Sequence, residues 1–269
     1  MIKLSISNIA WPAEADEEMY SNLFRMGYSG LEIAPSRLFG NCPYEKLAHA
    51  SELANDLLKN YGISIPSIQS IWYGRTENFF RGYRDFEYLI KYSEKAVGFA
   101  RSIGCKNLVF GCPKNRNIES NVSDVDKIAD TFFQKLSSIA VNGGVLFGVE
   151  ANPIIYNTNF LNTTSEVTEL LSRLHAPGLG INLDVGTMLY NDESIQDIRP
   201  FIPIITHVHI SEPQLAKIKE REFHRRLLQV LADEGYEGYI SIEMGICGSV
   251  QEVMEVMLYV KEVAEDVKS

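Results

Sequence analysis

The residues of this sequence best suited to chemistry are three acidic side chains and one histidine, spaced at intervals of about thirty residues. They are Glu150, Asp184, His209 and Glu243, with separations of 34, 25 and 34 residues. Each ends a short β-rich run, which predicts that all four stand at the ends of strands. Three carboxylates in a shared interior would repel one another and raise each other's pKa values unless a cation balanced them. The spacing therefore favours a site for a divalent metal.

The ligand types narrow the choice of metal and of reaction. Three carboxylates and one imidazole make a hard, oxygen-rich set, which favours Mn²⁺, with Mg²⁺ or Co²⁺ as alternatives, over the thiolate-rich sites of structural zinc. Four protein ligands on an octahedral ion leave two positions for neighbouring oxygens of a hydroxy-carbonyl compound, whose polarised carbonyl acidifies the adjacent C–H. The competing interpretation is that each residue only caps a loop, pairs with a cation or fills a hydrogen bond in the core.

The elements that must position these residues alternate between short β-rich runs and longer segments of helical periodicity. Strands are predicted at 2–8, 29–34, 63–69, 106–111, 145–150, 179–184, 204–210 and 238–243. Helices are predicted at 14–26, 44–60, 84–103, 123–142, 163–175, 194–201, 220–234 and 248–265. Eight such units in about 250 residues are typical of a (β/α)₈ TIM barrel with its active site at the C-terminal ends of the strands, although an open doubly wound α/β sheet shares the local pattern.

Two features favour the closed barrel. No glycine-rich GxGxxG follows the first predicted strand. Polar residues stand at the C-terminal end of every predicted strand and are not concentrated in one pair of loops. No linker composition divides residues 1–269, so a single domain is expected. Because side chains alternate along a strand, His207 and His209 should share the interior, with His207 about 6.6 Å deeper. His207 is therefore expected to support the ligands from beneath and not to bind the metal.

Composition excludes several classes of protein. The chain carries 25 basic and 35 acidic residues, a net charge of −10, and has no long basic run, so nucleic acid is not an expected partner. A membrane-spanning helix needs a run of about 18 consecutive apolar residues, and the sequence contains no such run. The four cysteines lack CxxC spacing, and the N-terminus lacks the apolar core of a signal peptide. A reduced, cytoplasmic protein is expected, and a homo-oligomer stays open.

Five short motifs carry a resemblance to a known family. They are GLEIAP (30–35), GVEANP (148–153), LDVG (183–186), HVHISEP (207–213) and GYISIEM (238–244). With the strand-end order Glu, Asp, His, Glu, the whole chain resembles the xylose-isomerase-like TIM barrel superfamily, in particular its sugar (phosphate) isomerase/epimerase branch. This branch includes ketose 3-epimerases and inosose dehydratases.

The resemblance implies a small carbohydrate substrate and a role for each glutamate. Glu150 and Glu243 would both bind metal and act as the two bases, one removing the proton α to a carbonyl and the other reprotonating the enediolate on its opposite face. Thr187 stands where ketose 3-epimerases carry a substrate-binding histidine, and no arginine follows His209 in SEPQLAK. A free hexulose is therefore not the expected substrate.

Further residues near the predicted strand ends are candidates for substrate contact. Lys114 and Arg116 follow the fourth strand and are expected to hold an anionic group, unless they are simply solvated cations. Glu32, Gln69 and Asn8 are expected to bond sugar hydroxyls, or else to order loops.

Three other functions remain open. A dehydratase of the inosose type would use the same proton abstraction and then expel a β-hydroxyl. A phosphodiesterase resembling endonuclease IV would need extra histidines at positions where this chain has Gln69, Cys112 and Thr187. The last alternative is a barrel that binds a sugar derivative without catalysis.

Overall fold

Eight parallel strands form one sheet in the computed structural model, which describes residues 2–267. The strands β1 to β8 are Lys3–Ser7, Gly30–Glu32, Ser67–Ile68, Asn107–Phe110, Leu146–Glu150, Leu179–Asp184, Ile205–Ser211 and Tyr239–Glu243. Their order across the sheet is β2-β1-β8-β7-β6-β5-β4-β3. The end strands β2 and β3 meet through bridges at Gly30–Ser64 and Ile33–Ile68, where the amide of Gln69 donates to Ile33 O at 2.9 Å. The predicted (β/α)₈ barrel is confirmed.

Helices lie between successive strands and cover the outside of the sheet. Within residues 2–267 the α-helices α1 to α10 are Asp16–Met26, Pro35–Phe39, Leu47–Tyr61, Tyr83–Ser102, Val125–Gly143, Thr164–Leu174, Val185–Tyr190, Ile195–Ile198, Glu222–Asp233 and Val250–Asp266. Short 3₁₀ helices are Asn8–Ala10, Ala13–Ala15, Pro43–Glu45, Pro113–Asn115, Ile154–Tyr156, Arg199–Ile204 and Pro213–Leu215. Over this described range, no helix combines the length and the apolar character that crossing a bilayer demands.

The apolar core fills the layer between the helices and the sheet. Alternate residues of the central strands, such as Phe147, Val149, Leu183 and Val208, are completely buried there. Their neighbours in the sequence point the other way, toward the barrel interior. The apolar alternation thus places the polar residues of β5 to β8 inside the barrel.

Proline and a capping carboxylate explain where the elements differ from the predicted ones. The predicted strand 63–69 shrinks to Ser67–Ile68, since Pro66 has no N–H to donate. The predicted helix 194–201 becomes the short α8 followed by a 3₁₀ segment that contains two prolines. An additional helix, α7, begins directly after β6 because the Asp184 side chain accepts a hydrogen bond from the amide of Thr187.

The strand register brings the polar ends of β5 to β8 level with one another. Glu150 is opposite Asn182 on the neighbouring strand, and Asp184 is opposite His209. Glu243 lies beside the end of β7, two residues beyond His209 along that strand. The C-terminal rim of this half of the barrel therefore collects acidic groups and imidazole.

Candidate metal centre

The structure brings Glu150, Asp184, His209 and Glu243 into one cluster. One ligand atom from each lies within 4.8 Å of all the others. His209 Nδ1 is 3.2 Å from Glu150 Oε2, 3.2 Å from Glu243 Oε2 and 4.0 Å from Asp184 Oδ2. The three carboxylates line a cavity of about 190 Å³ at the C-terminal end of the barrel. A small molecule entering this cavity meets all three acids.

Two amide side chains hold the Glu150 carboxylate. Asn182 Nδ2 donates to its Oε2 at 2.6 Å, and Asn152 Nδ2 donates to its Oε1 at 2.7 Å. Arg116 holds Asn152 in turn, donating to its Oδ1 at 2.9 Å and to the backbone oxygen of Glu150 at 2.9 Å. Gly111 leaves the space the carboxylate needs, because a Cβ there would lie 2.8 Å from Glu150 Oε1. The sequence analysis did not identify Asn152 as a partner of Glu150. For Asn182 a signal exists, because it lies two residues before Asp184 and therefore faces the same side of strand β6.

The Asp184 carboxylate is fixed by the turn from strand β6 into helix α7. Its Oδ1 accepts a hydrogen bond from the amide of Thr187 at 2.6 Å, and its Oδ2 accepts one from Ser211 Oγ at 2.5 Å. The Thr187 hydroxyl donates to the backbone oxygen of Ala151 at 2.8 Å. Thr187 therefore links the end of β5 to the start of α7. In ketose 3-epimerases, which this chain resembles, this position would instead carry a substrate-binding histidine.

A buried glutamate lies beneath the cluster and faces both histidines. Glu32 Oε2 is 3.1 Å from His209 Nε2 and 2.9 Å from His207 Nε2, the latter without the alignment of a hydrogen bond. Gln69 Nε2 donates to Glu32 Oε1 at 3.3 Å. Both oxygens of Glu32 thus have partners within the protein, and the residue is completely buried. The structure places Glu32 below the cluster and not at the cavity surface expected for a sugar contact.

The remaining predicted contact residues divide between the cavity and its surroundings. Gln69 lines the cavity, together with Cys112, Tyr156 and other rim residues. Asn8 is completely buried, and its Oδ1 accepts the amide of Ala34 at 2.9 Å. Lys114 is exposed, next to the cavity-lining Pro113.

Arg116 corrects the expectation of a paired basic rim. Its side chain is completely buried, and besides Glu150 O and Asn152 it donates to the backbone oxygen of Leu161 at 3.3 Å. The left-handed backbone of Cys112, with φ 47°, and the following 3₁₀ turn carry the chain back beneath the rim. The guanidinium is buried within the protein and does not line the cavity.

Burial and mutual charge shift the pKa values of the clustered residues. Burial raises the pKa of Glu243 to about 7, with His209 opposing and Glu150 and Asp184 adding to the rise. Burial and the charge of Glu150 likewise raise the pKa of Asp184 to about 6, against the effect of His209. Burial lowers the pKa of His209, yet the carboxylates of Glu243 and Glu32 outweigh it and bring the value well above the ordinary one.

This donor set fits a divalent cation. Four donor atoms within 4.8 Å of one another are close to the span that one ion can bridge with ligands at about 2.1 Å. The cluster brings three carboxylates to one imidazole, and both burial and the neighbouring carboxylates raise the pKa values of Asp184 and Glu243. A cation at the centre would relieve that repulsion.

Comparison with known proteins agrees with the barrel fold. The profile of the family described as xylose isomerase-like TIM barrel matches residues 21–259. The chain belongs to this family. A human relative named "Putative hydroxypyruvate isomerase" is 24% identical over 163 residues. That match covers 56% of this xylose isomerase-like chain and 57% of the human protein, so the chain spans little more than half the length of this curated relative.

Two solved structures share the fold of this chain. The apo 3-keto-D-glucoside 4-epimerase of E. coli superposes with a TM-score of 0.78 at 17% identity, covering 97% of this chain and all of that chain. The IOLI protein, solved with a bound zinc atom, has a TM-score of 0.72 at 16% identity, covering 99% and 98%. At these identities the likeness establishes the fold.

Proposed function

We propose that this protein is a divalent-metal-dependent isomerase or epimerase of sugars or sugar phosphates that abstracts a proton α to a carbonyl. The observation that carries the proposal is the placement of Glu150 and Glu243, each 3.2 Å from His209 Nδ1, on strands separated by two others. Two carboxylates that approach one cavity from different strands can serve opposite faces of a substrate carbon. The membership of a family of sugar isomerases and epimerases supports the same reaction class.

The proposed metal ligands are Glu150, Asp184, His209 and Glu243. The oxygen-rich set favours Mn²⁺, with Mg²⁺ or Co²⁺ as alternatives. When bound, such an ion polarises a carbonyl and acidifies the adjacent C–H. Glu32 accepts at the far nitrogen of His209 and so orients the imidazole, as carboxylates commonly do behind metal-binding histidines.

The two glutamates perform the proton transfers in this proposal. One removes the proton next to the carbonyl, and the other returns a proton to the opposite face, which inverts the carbon. The amides of Asn152 and Asn182 fix both oxygens of Glu150, so this carboxylate reacts from one position.

A dehydratase is the second candidate, favoured by one observation. Tyr156 lines the cavity, and its oxygen accepts a hydrogen bond from the amide of Gln214 at 2.8 Å. No acceptor for its own O–H occurs among residues 2–267, so the phenol is able to donate to a departing hydroxyl. A phosphodiesterase is disfavoured, since Gln69, Cys112 and Thr187 supply no additional imidazole.

Deuterium exchange tests the proposed reaction. The Mn²⁺-loaded protein is incubated in D₂O with a panel of keto-sugars and their phosphates, and NMR follows deuterium at the carbon α to each carbonyl. We expect incorporation with at least one substrate and its loss in Glu150→Gln and Glu243→Gln. Glu237→Gln, an exposed glutamate just before strand β8, is the matched control and should keep full exchange. Exchange retained in either site variant removes the two-base assignment, and no exchange with any substrate favours a binding barrel.

Lys114 carries the proposed preference for an anionic substrate. It is exposed beside Pro113, which lines the cavity. Of the two predicted cations, Lys114 is the exposed one, whereas Arg116 is buried. Lys114→Ala should raise the KM for a phosphorylated substrate and leave that for its neutral counterpart unchanged. An equal change for both would exclude the anion contact.

A further inference from the structure

A second cavity, of about 510 Å³, adjoins the metal centre on the other half of the barrel. We call it the annex. Its walls follow strands β8, β1, β2 and β3, whereas the proposed metal ligands end β5 to β8. Ser70 lines both cavities and forms the junction between them. The residues that shape the annex include Ile9, Trp11, Ala34, Tyr73 and Ile246.

The junction residue is itself unusual. Ser70 adopts a left-handed backbone with φ 53°, a conformation that is costly for a residue with a side chain and that clusters at functional sites. Its hydroxyl donates to Gln69 Oε1 at 3.3 Å, and Gln69 in turn donates to Glu32 beneath the ligands. The junction is thus tied to the floor of the metal centre.

Hydrogen bonds between loops hold the annex in shape. The amide of Ala34 donates to Asn8 Oδ1 at 2.9 Å, which joins the loops after β1 and β2. The amide of Cys247 donates to the backbone oxygen of Ala10 at 3.2 Å, which joins the loops after β8 and β1. A cavity with fixed walls is typical of small-molecule sites.

The annex is apolar and electrically balanced. Its cation, Arg37, donates to both oxygens of Asp16 at 2.7 and 3.1 Å and to the backbone oxygen of Trp11 at 3.1 Å. The Trp11 indole N–H also donates to Asp16, at 2.8 Å. By contrast, the side chains of Tyr73 and Ile246 are 72% and 67% exposed. Large apolar groups left in water around a concave site mark a surface that binds something apolar.

We propose that the annex binds an aryl or alkyl group attached to the sugar at the metal centre, so that the substrate is a keto-glycoside, whose ring ketone supplies the carbonyl, and not a free sugar. The inference rests on the proposed function, whose sugar site it extends. A second sugar ring fits less well, because among the lining residues only the hydroxyls of Ser36 and Ser70 offer uncharged side-chain partners beside the Tyr73 phenol. Several sugar hydroxyls would then lose their hydrogen bonds to water without replacement, which weakens binding.

Matched glycosides test the annex directly. Binding to the Mn²⁺-loaded protein is measured by calorimetry for methyl and phenyl glycosides of glucose, galactose and mannose, which serve as unreactive analogues of the keto-glycosides, with cellobiose as the disaccharide. We expect at least one phenyl glycoside to bind several-fold more tightly than its methyl partner. Tyr73→Ala and Ile246→Ala should each weaken phenyl binding by about threefold to tenfold and leave methyl binding unchanged. Tyr83→Ala is the matched control, since Tyr83 is 80% exposed and lines a different groove.

The outcomes separate the annex from the chemistry. If no phenyl glycoside binds more tightly than its methyl partner, or if cellobiose binds more tightly than the phenyl glucoside, the annex does not hold an apolar group. Deuterium exchange that persists without a phenyl preference overturns the annex and leaves the isomerase proposal intact. A phenyl preference without exchange on any keto-sugar or keto-glycoside supports the annex and overturns the isomerase proposal.

Discussion

Acidification should weaken metal binding steeply, because the proposed ligands hold protons that a metal must displace. In the metal-free protein, burial raises the pKa of Glu243 to about 7 and that of Asp184 to about 6. A carboxylate binds a divalent ion only after it loses its proton. As pH falls through these values both groups become protonated, so the sign of the effect is a loss of affinity in acid.

The two pKa values set the size of the effect. At pH 5.5 a group with a pKa of 7 is about 3% ionised and one with a pKa of 6 about 24%, so about 0.7% of sites have both ionised. At pH 8 the corresponding share is about 90%. The apparent affinity should therefore fall about a hundredfold between pH 8 and pH 5.5, or about 3 kcal/mol. The raised pKa of His209 acts in the same direction.

The free Mn²⁺ signal in electron paramagnetic resonance measures this affinity across the pH range at constant ionic strength. Calorimetry in buffers of different ionisation enthalpy counts the protons released. Glu243→Gln should bind Mn²⁺ more weakly at pH 8 and show a shallower pH dependence, whereas Glu237→Gln should follow the wild type. A dissociation constant that changes less than about threefold from pH 8 to 5.5 would refute the reasoning, because the carboxylates would then be ionised without the metal.

Three further substitutions test the surroundings of the site. Gly111→Ala places a methyl group against Glu150 Oε1 and should lower kcat about a hundredfold with an unchanged circular dichroism spectrum, whereas normal kcat would show that the carboxylate can move aside. Arg116→Met removes three buried hydrogen bonds, although Leu161 O keeps the amide of Asn152 as a donor, and should lower the free energy of unfolding by about 3–5 kcal/mol in urea titration; an unchanged midpoint would contradict this. Burial lowers the pKa of His224 to about 4, so the unfolded chain, with a value near 6.5, takes up the proton first and stability falls as pH drops from 6.5 through 4. Between pH 8 and pH 5 the free energy of unfolding of the wild type should thus fall by about 2 kcal/mol more than that of His224→Phe. Equal falls would disprove the lowered pKa of His224.

Periodicity predicts much of this architecture because a parallel barrel repeats one local rule. Side chains alternate along each strand and all strands end at the same rim, so residues such as Glu150 and His209 meet although 59 positions separate them. Helix boundaries depend on local chemistry that is harder to weigh in advance. The Asp184 side chain starts a helix directly after β6, and Pro200 with Pro203 turns the next one into a 3₁₀ segment.

Contacts between distant loops account for what the sequence could not predict. Arg116 follows a strand end as a rim cation would, yet its acceptors come from residues 34 to 45 positions away. The alternation of side chains along a strand correctly predicts that Glu32 points inward. It does not predict how deep the carboxylate lies or that two histidines face it. Such partners depend on how the β2 side of the barrel packs against the β7 side.

The barrel divides its rim into two halves with different physical properties. The ends of β5 to β8 gather charge and hold it rigidly with amides and hydroxyls, while the ends of β8 to β3 present apolar walls whose single cation is paired. Glu32 connects the halves, because it comes from β2 and yet faces the imidazole of His209 on β7. In the proposed enzyme, substitutions in the apolar half should therefore alter which substrate binds, whereas substitutions in the charged half should alter whether a proton moves.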